Sequence, residues 1–391
     1  MPNRPRAWLS ERVSRLREDG LYRARRVVES LTARESRLED GRVVIDFASN
    51  DYLGLAHHPD VIVAAKNAAD AFGVGARASP LISGLTPAHS ELIQALCDFE
   101  GAEAALLFSS GYAANIGMIS ALAGPEDVIY SDRLNHACLI DGARLSGARF
   151  RVYRHAELDR LQKELANAGE FRRRFIVTDG VFSMDGDLAP LKELVDLAEK
   201  YDAEVIVDEA HGTGVYGPHL RGACDHFEVS DRVLAKVGTL SKAIGGQGAF
   251  VVGSRELIDY LWNSARTQMF STALSPMLCA AATASLRIIR SDKERQRRLR
   301  NNVHQLRDAL HSLALTVLGD RDSPIVPIIL QSPTLALQRH QTLLDEGFLV
   351  GCVRPPTVPA GTSRLRLTVN AEHTTDDIER LAMMLTGLLC T

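Results

Sequence analysis

Short apolar segments recur through the middle of the chain, and most are separated by stretches long enough to form a helix. Strands that are apolar on both faces and alternate with helices are typical of a largely parallel sheet covered on both sides. The pattern therefore predicts an α/β fold, in which ligands bind beyond the carboxyl ends of the strands. The predicted strands are Ala104–Phe108, Val128–Tyr130, Phe150–Tyr153, Phe175–Thr178, Val205–Val207, Val233–Ala235 and Phe250–Val252.

The pattern changes towards both ends of the chain. Leu9, Val13 and Leu16 share one face of an amphipathic helix predicted over about residues 7–30 with an interruption at Gly20–Arg23, and Val43–Phe47 is predicted to be a strand. A long helical stretch over about residues 272–315 leads to a smaller α+β C-terminal domain, with strands near 325–330 and 364–369 and helices near 333–346 and from 374 onward. We therefore expect an N-terminal arm (1–50), a large domain (51–285) and a C-terminal domain (286–391).

Composition narrows the functional classes. The net charge of −4 gives no general attraction to nucleic acid or to anionic membranes. No apolar run is long enough to span a membrane, and no hydrophobic segment follows Arg6 to act as a secretory signal. We therefore expect a cytoplasmic protein. The cysteines lack CxxC spacing and predict neither a zinc site nor a disulfide framework; they are Cys97, Cys138, Cys224, Cys279, Cys352 and Cys390.

One lysine, Lys242, lies in a segment of small and hydroxylated residues, Val237–Gly248, between two predicted strands. A loop lysine is most often a surface residue with its head group in water. Burial would instead lower the pKa of the amine and make it nucleophilic, as Schiff-base chemistry requires. The neighbouring glycines would let the backbone approach a flat ligand closely.

Polar residues follow several of the other predicted strands. The turn Ser109–Asn115 leads into a helix and would suit an anion such as phosphate. Asp208, at a buried strand end, needs a cationic partner such as a protonated pyridine nitrogen. Asp208 and His211 could share a metal, but no third ligand has the right spacing, so we predict no metal site. His136 could stack on a flat ring.

Each of these signals has an ordinary explanation when taken alone, such as an acidic turn or a surface histidine. Together they match the needs of one cofactor. Pyridoxal phosphate requires a Schiff-base lysine, an acid for its ring nitrogen, a phosphate site and a stacking partner. We therefore predict a binding site for pyridoxal 5'-phosphate at the ends of successive strands.

The same segments resemble those of the α-oxoamine synthases, which are fold-type I pyridoxal-phosphate-dependent transferases. Members of this family condense an amino acid with an acyl thioester and release CO2. The resemblance runs from about Leu21 to the last helix and implies the α/β fold described above. The segments that carry it are Ser49–Leu55, Ser109–Asn115, Asn135–Ala137, Asp179–Gly186, Asp208–Gly214 and Gly238–Lys242.

The resemblance implies a role for each site residue. Lys242 is expected to bind the cofactor covalently and later to move the Cα proton, and Asp208 to pair with the ring nitrogen. His136 would stack on the ring and also contact the substrate. The remaining cofactor contacts implied are His211 and Ser183 at the phenolic oxygen, and Gly111, Tyr112 and Thr239 near the phosphate. The other substrate contacts implied are Arg366 at the amino-acid carboxylate, with Arg23, Asn50 and Thr357.

The substrates and the assembly are also implied by the resemblance. Arg354–Arg366 is most similar to the biotin-pathway branch, which uses L-alanine and pimeloyl-CoA or a pimeloyl-acyl carrier protein. The family forms homodimers, in which Ser271 and Thr272 would serve the phosphate of the neighbouring subunit. Pro80 departs from the family, which often has arginine there, and leaves the acyl carrier open.

Three alternatives remain at this point. The chain could be an α-oxoamine synthase that uses glycine, serine or another acyl chain. It could be an aminotransferase on the same fold, which would release no CO2. It could also be a binding protein without catalysis, although the lysine, aspartate and histidine set argues against that.

Overall fold

The structure is a computed structural model that describes residues 6–169, 171–312 and 317–389, so Cys390 lies outside the described residues. The chain divides into two compact units. The large unit comprises residues 50–299, and the small unit combines residues 6–49 with the described residues from 300 onward. The domain limits given above stay a prediction.

Within the described residues the strands are β1 (Val28–Ser30), β2 (Glu35–Leu38), β3 (Val43–Phe47), β4 (Ala104–Phe108), β5 (Val128–Asp132), β6 (Arg149–Tyr153), β7 (Arg174–Asp179), β8 (Glu204–Asp208), β9 (Ala235–Thr239), β10 (Ala249–Gly253), β11 (Ile325–Gln331), β12 (Phe348–Val353) and β13 (Ser363–Thr368).

The α-helices are α1 (Ala7–Glu18), α2 (Pro59–Phe72), α3 (Pro87–Glu100), α4 (Gly111–Leu122), α5 (Ala137–Ser146), α6 (Leu158–Ala166), α7 (Leu191–Lys200), α8 (Ala223–His226), α9 (Arg255–Ser264), α10 (Arg266–Met269), α11 (Pro276–Ser291), α12 (Lys293–His311), α13 (Pro333–Asp345) and α14 (Thr375–Leu389). Short helical turns occur at Pro80–Gly84 and Ser230–Arg232. None of these helices, which cover only the described residues, is long and apolar enough to cross a membrane.

The large unit is built on one mixed sheet with the strand order β4-β10-β9-β8-β7-β5-β6. Strands β5 to β9 pair in parallel, and only β10 runs antiparallel to its two neighbours. The buried apolar side chains of this unit include one cluster around Met118 and Leu139 and another around Leu161 and Phe182. The predicted α/β class with a mostly parallel sheet is confirmed.

One predicted strand of this sheet was placed too early. The apolar run at Val233–Ala235 only leads into β9, which extends to Thr239. Lys236 lies within the strand and is almost fully buried, and its Nζ is 2.7 Å from Glu100 Oε2. A buried charge is tolerated when an opposite charge accompanies it. Because the lysine interrupts the apolar run, the sequence pattern did not predict the full length of this strand.

The small unit contains a second sheet with the order β1-β2-β3-β12-β13-β11. Its parallel pair, β3 with β12, joins the N-terminal segment to the C-terminal one.

Two helix predictions were wrong in extent, although the interruption predicted at Gly20–Arg23 agrees with the end of the first helix. Helix α1 ends at Glu18 instead of near residue 30, and Gly20 follows it at a φ of 65°. The long helical stretch begins at Pro276 and is divided by Asp292 into α11 and α12.

Candidate active site

Lys242 lies half-buried in the loop that connects β9 to β10. The glycines of this region pack against the protein itself. A Cβ on Gly245, which has a φ of 73°, would lie 2.4 Å from the backbone nitrogen of Ala56, and one on Gly238 would strike the ring of Phe250 at 2.1 Å. At these two positions the absence of a side chain therefore serves packing within the protein, inside β9 at Gly238 and in the loop at Gly245.

Asp208 is the last residue of β8, and its carboxylate is buried at the carboxyl edge of the sheet. The Ala210 amide donates to Oδ1 at 2.8 Å, and Asn115 Nδ2 donates to Oδ2 at 2.6 Å. Asn115 Oδ1 is also buried and has no hydrogen-bond partner among the described residues. Both oxygens of Asp208 therefore accept hydrogen bonds, and a buried carboxylate of this kind needs a cationic partner.

A second carboxylate, Asp179, pairs in register with Asp208 on the adjacent strand β7. Its Oδ2 accepts a hydrogen bond from the His136 amide at 2.7 Å. Burial raises the pKa of Asp179 well above its ordinary value, and the charge of Asp208 adds to the shift, whereas Lys242 opposes it. Two buried acids side by side create a demand for positive charge at this edge of the sheet.

His136 caps the N-terminus of α5, and its ring is open to solvent on one side. Its Nδ1 is 2.9 Å from Cys138 Sγ. Partial burial lowers the pKa of His136, and Lys242 lowers it further against the opposing charge of Asp208. A neutral imidazole with an accessible face suits stacking on a planar ring.

His211 follows Asp208 by three residues and is buried. Its Nδ1 is 2.6 Å from the Tyr52 hydroxyl, which also lies 3.2 Å from Asn50 Oδ1. The predicted cofactor contact His211 and the predicted substrate contact Asn50 are therefore linked by a tyrosine for which the sequence suggested no role.

The start of α4 and the end of β9 lie together at the predicted phosphate region. A Cβ on Gly111 would have one near neighbour, Thr239 Cβ at 4.0 Å, so this place is open. The Thr239 hydroxyl is 2.7 Å from that of Ser241. First-turn amides of a helix and two hydroxyls form a suitable anion site. The Tyr112 hydroxyl donates to Asp141, and this hydrogen bond raises the pKa of the phenol.

Glu209 explains why glycines surround the segment that carries His211. Its carboxylate accepts from the Ala223 and Cys224 amides at 2.8 and 2.7 Å. A Cβ on Gly212 or Gly222 would come within 2.1 or 2.2 Å of Glu209 Oε2. Burial raises the pKa of Glu209 to about 7 despite the two amide donors. The glycines enclose this carboxylate.

The structure brings most of the predicted site residues into the large unit. Ser183 is half-buried in the loop that follows β7. The predicted substrate residues Arg23, Thr357 and Arg366 belong to the small unit. There Arg23 Nη2 lies 3.5 Å from Thr357 Oγ1, and Arg366 is buried in β13. The roles of all these residues stay predictions.

Sequence reasoning missed Asn115, Cys138, Asp179 and Tyr52. All four lie inside or beside the segments that carry the family resemblance, and that position was the only signal available. Each of them also has a polar partner that is remote in the sequence, and no local pattern could identify those pairs.

These residues fit pyridoxal phosphate. Asp208 offers a buried anion for a ring N–H, Thr239 and the start of α4 offer a phosphate site, and His136 offers an open ring face. Lys242 lies in the loop that follows β9, the parallel neighbour of β8, and therefore at the same edge of the sheet as Asp208. No group of three or more metal-ligating side chains suited to an ion occurs in the part of the chain that the structure describes.

Comparisons with known proteins agree with this fit. The profile of the aminotransferase class I and II family matches residues 42–385. A serine palmitoyltransferase from S. paucimobilis, solved with a bound PLP–myriocin adduct, superposes with a TM-score of 0.93 at 34% identity over 99% of this chain and 98% of that chain. The chain therefore belongs to the aminotransferase class I and II family and, within it, to the α-oxoamine synthases that the motifs predicted.

The sequence relatives are more specific. An 8-amino-7-oxononanoate synthase from Methylococcus capsulatus is 49% identical over 367 residues, or 92% of each chain. A protein of the same name from Alkalilimnicola ehrlichii is 46% identical over 97% of each chain. The structure of a third, from Francisella tularensis, superposes with a TM-score of 0.76 at 32% identity over 88% of this chain and 97% of that chain.

Proposed function

We propose that this chain is a pyridoxal-phosphate-dependent acyltransferase that makes 8-amino-7-oxononanoate for biotin biosynthesis. It would condense L-alanine with a pimeloyl thioester and release CO2 and the free thiol. The observation that carries the chemistry is the grouping of Asp208, Asp179 and His136 with the amine of Lys242 at one edge of the sheet. The choice of substrates is supported by relatives at 46–49% identity that bear this name.

Each residue would have a defined task. Bound pyridoxal phosphate would withdraw electrons from the substrate Cα. Lys242 would hold the cofactor through its amine and, once displaced by alanine, would take the proton from Cα. Asp208, hydrogen-bonded by Asn115 and the Ala210 amide, would hold the proton on the ring nitrogen. His136 would lie against the ring and orient the acyl substrate.

The remaining contacts would orient the two ends of the cofactor and the substrate. His211 and Ser183 would bind the phenolic oxygen, while Gly111, Tyr112 and Thr239 would hold the phosphate. In the substrate set, Arg366 would pair with the carboxylate of alanine. The other substrate contacts proposed are Arg23, Asn50 and Thr357.

We also propose a homodimer that works in the cytoplasm, with Ser271 and Thr272 serving the phosphate of the neighbouring subunit. The acyl group could arrive on CoA or on an acyl carrier protein, and both donors belong in the assay. The carboxylate-binding and phosphate-binding residues are the same in either case.

Purified protein would be incubated with pyridoxal phosphate, pimeloyl-CoA or pimeloyl-acyl carrier protein, and each of alanine, glycine and serine. The expected result is 8-amino-7-oxononanoate by mass spectrometry, formed only with alanine, together with one CO2 and one thiol per product. Preference for serine or glycine would assign another α-oxoamine synthase reaction. Amino-group transfer without CO2 would assign an aminotransferase.

The Lys242→Ala variant tests the chemistry separately from the substrates. Its turnover should fall by a factor of at least about 10³, because the amine both anchors the cofactor and moves the proton. The visible absorbance of the bound cofactor should change as well. Undiminished turnover by a correctly folded Lys242→Ala protein would refute the assignment.

A further inference from the structure

His155 connects two carboxylates from separate loops of the large unit. Its Nδ1 lies 3.1 Å from Asp132 Oδ1, and its Nε2 lies 2.7 Å from Asp187 Oδ2. The ring also meets Phe182 edge-on, with centroids 4.5 Å apart and planes at 86°. We call this arrangement of His155, Asp132 and Asp187 the His155 bridge. None of its members is among the site residues named above.

The first arm of the bridge, the contact between His155 and Asp132, leads to His136. Asp132 is the last residue of β5, and its Oδ1 also accepts from the Leu134 amide at 2.8 Å. The same carboxylate accepts from the Ala156 amide at 3.0 Å through Oδ2. Asp132 therefore fixes the turn that runs directly into His136.

The second arm, the contact between His155 and Asp187, leads to Ser183. Asp187 closes the loop that carries Ser183, because the Phe182 amide donates to the Asp187 carbonyl at 2.9 Å and the Gly186 amide donates to Phe182 at 2.8 Å. A bridge between Val181 and Leu188 holds the base of this loop. Movement of Asp187 would thus be transmitted to Ser183.

The bridge is sheltered from solvent mainly at its Asp132 end, since the Asp187 side chain is 33% exposed. The Asp132 side chain is 4% exposed and that of His155 27%. Both ring nitrogens donate to carboxylates only when the imidazole is protonated, and such charge-assisted hydrogen bonds are stronger than neutral ones. Burial alone would lower the pKa of His155, but the hydrogen bonds that its ring donates to Asp132 and Asp187 outweigh burial and raise the pKa to about 10.

We propose that His155 is a positioning residue that sets the spacing between the His136 turn and the Ser183 loop. It would act on the cofactor site without touching the cofactor. The inference rests on the proposed function only in assuming that His136 and Ser183 contact pyridoxal phosphate. A bridge that merely stabilises the fold would lower stability without changing the affinity of that site selectively.

Two substitutions separate the arms of the bridge. In His155→Asn the amide nitrogen can occupy the place of Nδ1 and keep the bond to Asp132, so the Ser183 loop is released. In His155→Gln the amide nitrogen can reach the place of Nε2 and keep the bond to Asp187, so the His136 turn is released. Each variant should bind pyridoxal phosphate about tenfold more weakly, the loss expected for one charge-assisted hydrogen bond.

A double-mutant cycle distinguishes a positioning role of His155 from a purely structural one. If His155→Asn acts through the Ser183 loop, its effect on the dissociation constant of pyridoxal phosphate should shrink to less than about threefold in a Ser183→Ala background. His219→Asn is the matched control. His219 also pairs with an aspartate, Asp225 at 3.0 Å, but its side chain is 63% exposed. This control should leave the affinity unchanged.

Affinity would be measured by titrating the apoenzyme with pyridoxal phosphate, and thermal melting of the apoenzyme would be recorded in parallel. Unchanged affinity in both His155 variants, or equal effects of His155→Asn with and without Ser183, would overturn the proposal. If a His155 variant fails to fold, Asp187→Asn, which keeps the Asp132 contact, supplies the same comparison. Because binding is measured without substrates, an error in the proposed substrates would leave this result intact.

Discussion

The properties of single residues at this site depend on the buried charged groups beside them. Asp208 and Asp179 share the carboxyl edge of β8 and β7, and the pKa of Asp179 is raised by burial and by its neighbour. Asp208 accepts hydrogen bonds on both of its oxygens, from Asn115 Nδ2 and from the Ala210 amide. The two acids are therefore distinguished by their donors, and Asp208 is the one prepared to meet a cationic ring nitrogen.

The pH dependence of stability should report on His155. Its pKa is raised from 6.5 to about 10 in the folded protein. A histidine of this kind stabilises the fold fully below its unfolded pKa, and that stabilisation is lost as the pH rises towards the folded value. The melting temperature of the wild-type apoenzyme should therefore exceed that of His155→Asn most at pH 6 and least at pH 10. A difference that stays constant between these values would contradict the assigned charge state.

At the scale of elements, the site consists of loops and turns attached to the ends of strands in one sheet. The Lys242 loop follows β9, Asp208 ends β8 and Asp179 ends β7. The rigid sheet fixes where each loop begins, and contacts between the loops fix their conformation. Gly245 is one such contact, because the Lys242 loop lies directly against the backbone of Leu55 and Ala56 there.

Replacing Gly245 with alanine should displace the Lys242 loop. An alanine at this position would have to adopt a positive φ, and its Cβ would lie 2.4 Å from the backbone nitrogen of Ala56. We expect a loss of roughly 2–4 kcal/mol in the free energy of unfolding and weaker binding of pyridoxal phosphate. Gly75→Ala is the control, since a Cβ at Gly75 meets nothing within 4 Å and its φ is not positive. Equal denaturation midpoints for the two variants would count against this packing role.

For the whole molecule, the proposed homodimer makes a prediction that the isolated chain does not. If Ser271 and Thr272 complete the phosphate site of the neighbour, each active site draws on two chains. Each site would then need Lys242 from one chain and Ser271 with Thr272 from the other. The Lys242→Ala variant and the double variant Ser271→Ala with Thr272→Ala would remove these two contributions separately. A mixed dimer would contain one site in which both contributions are intact.

Mixing the two inactive or weakened variants should therefore restore activity. After co-expression, and with purification through two different tags, the hybrid should show up to about half of the wild-type turnover, because one of its two sites is complete. Each parent homodimer gives the baseline. If the hybrid is no more active than the average of its parents, the two residues serve their own chain or have no role at the phosphate.

The sequence alone determined much of the large unit and of its chemistry. Apolar runs identified most strands of its sheet because buried parallel strands are apolar on both faces. Lys242, Asp208 and His136 were recognised because the polar residue after such a strand stands at the binding edge. These are local properties of the chain, and six of the seven predicted strands lie within an observed strand.

Only the tertiary structure decided which remote residues complete one another. Asn115 and Asp208 are 93 positions apart, and His155 joins Asp132 to Asp187 across separate loops. The pairing of β3 with β12 and the ion pair of Lys236 with Glu100 are equally non-local. Periodicity reports only on neighbours along the chain, whereas a hydrogen bond depends on distance in space. The sequence therefore predicted the chemistry at the strand ends, and folding selected the partners that tune it.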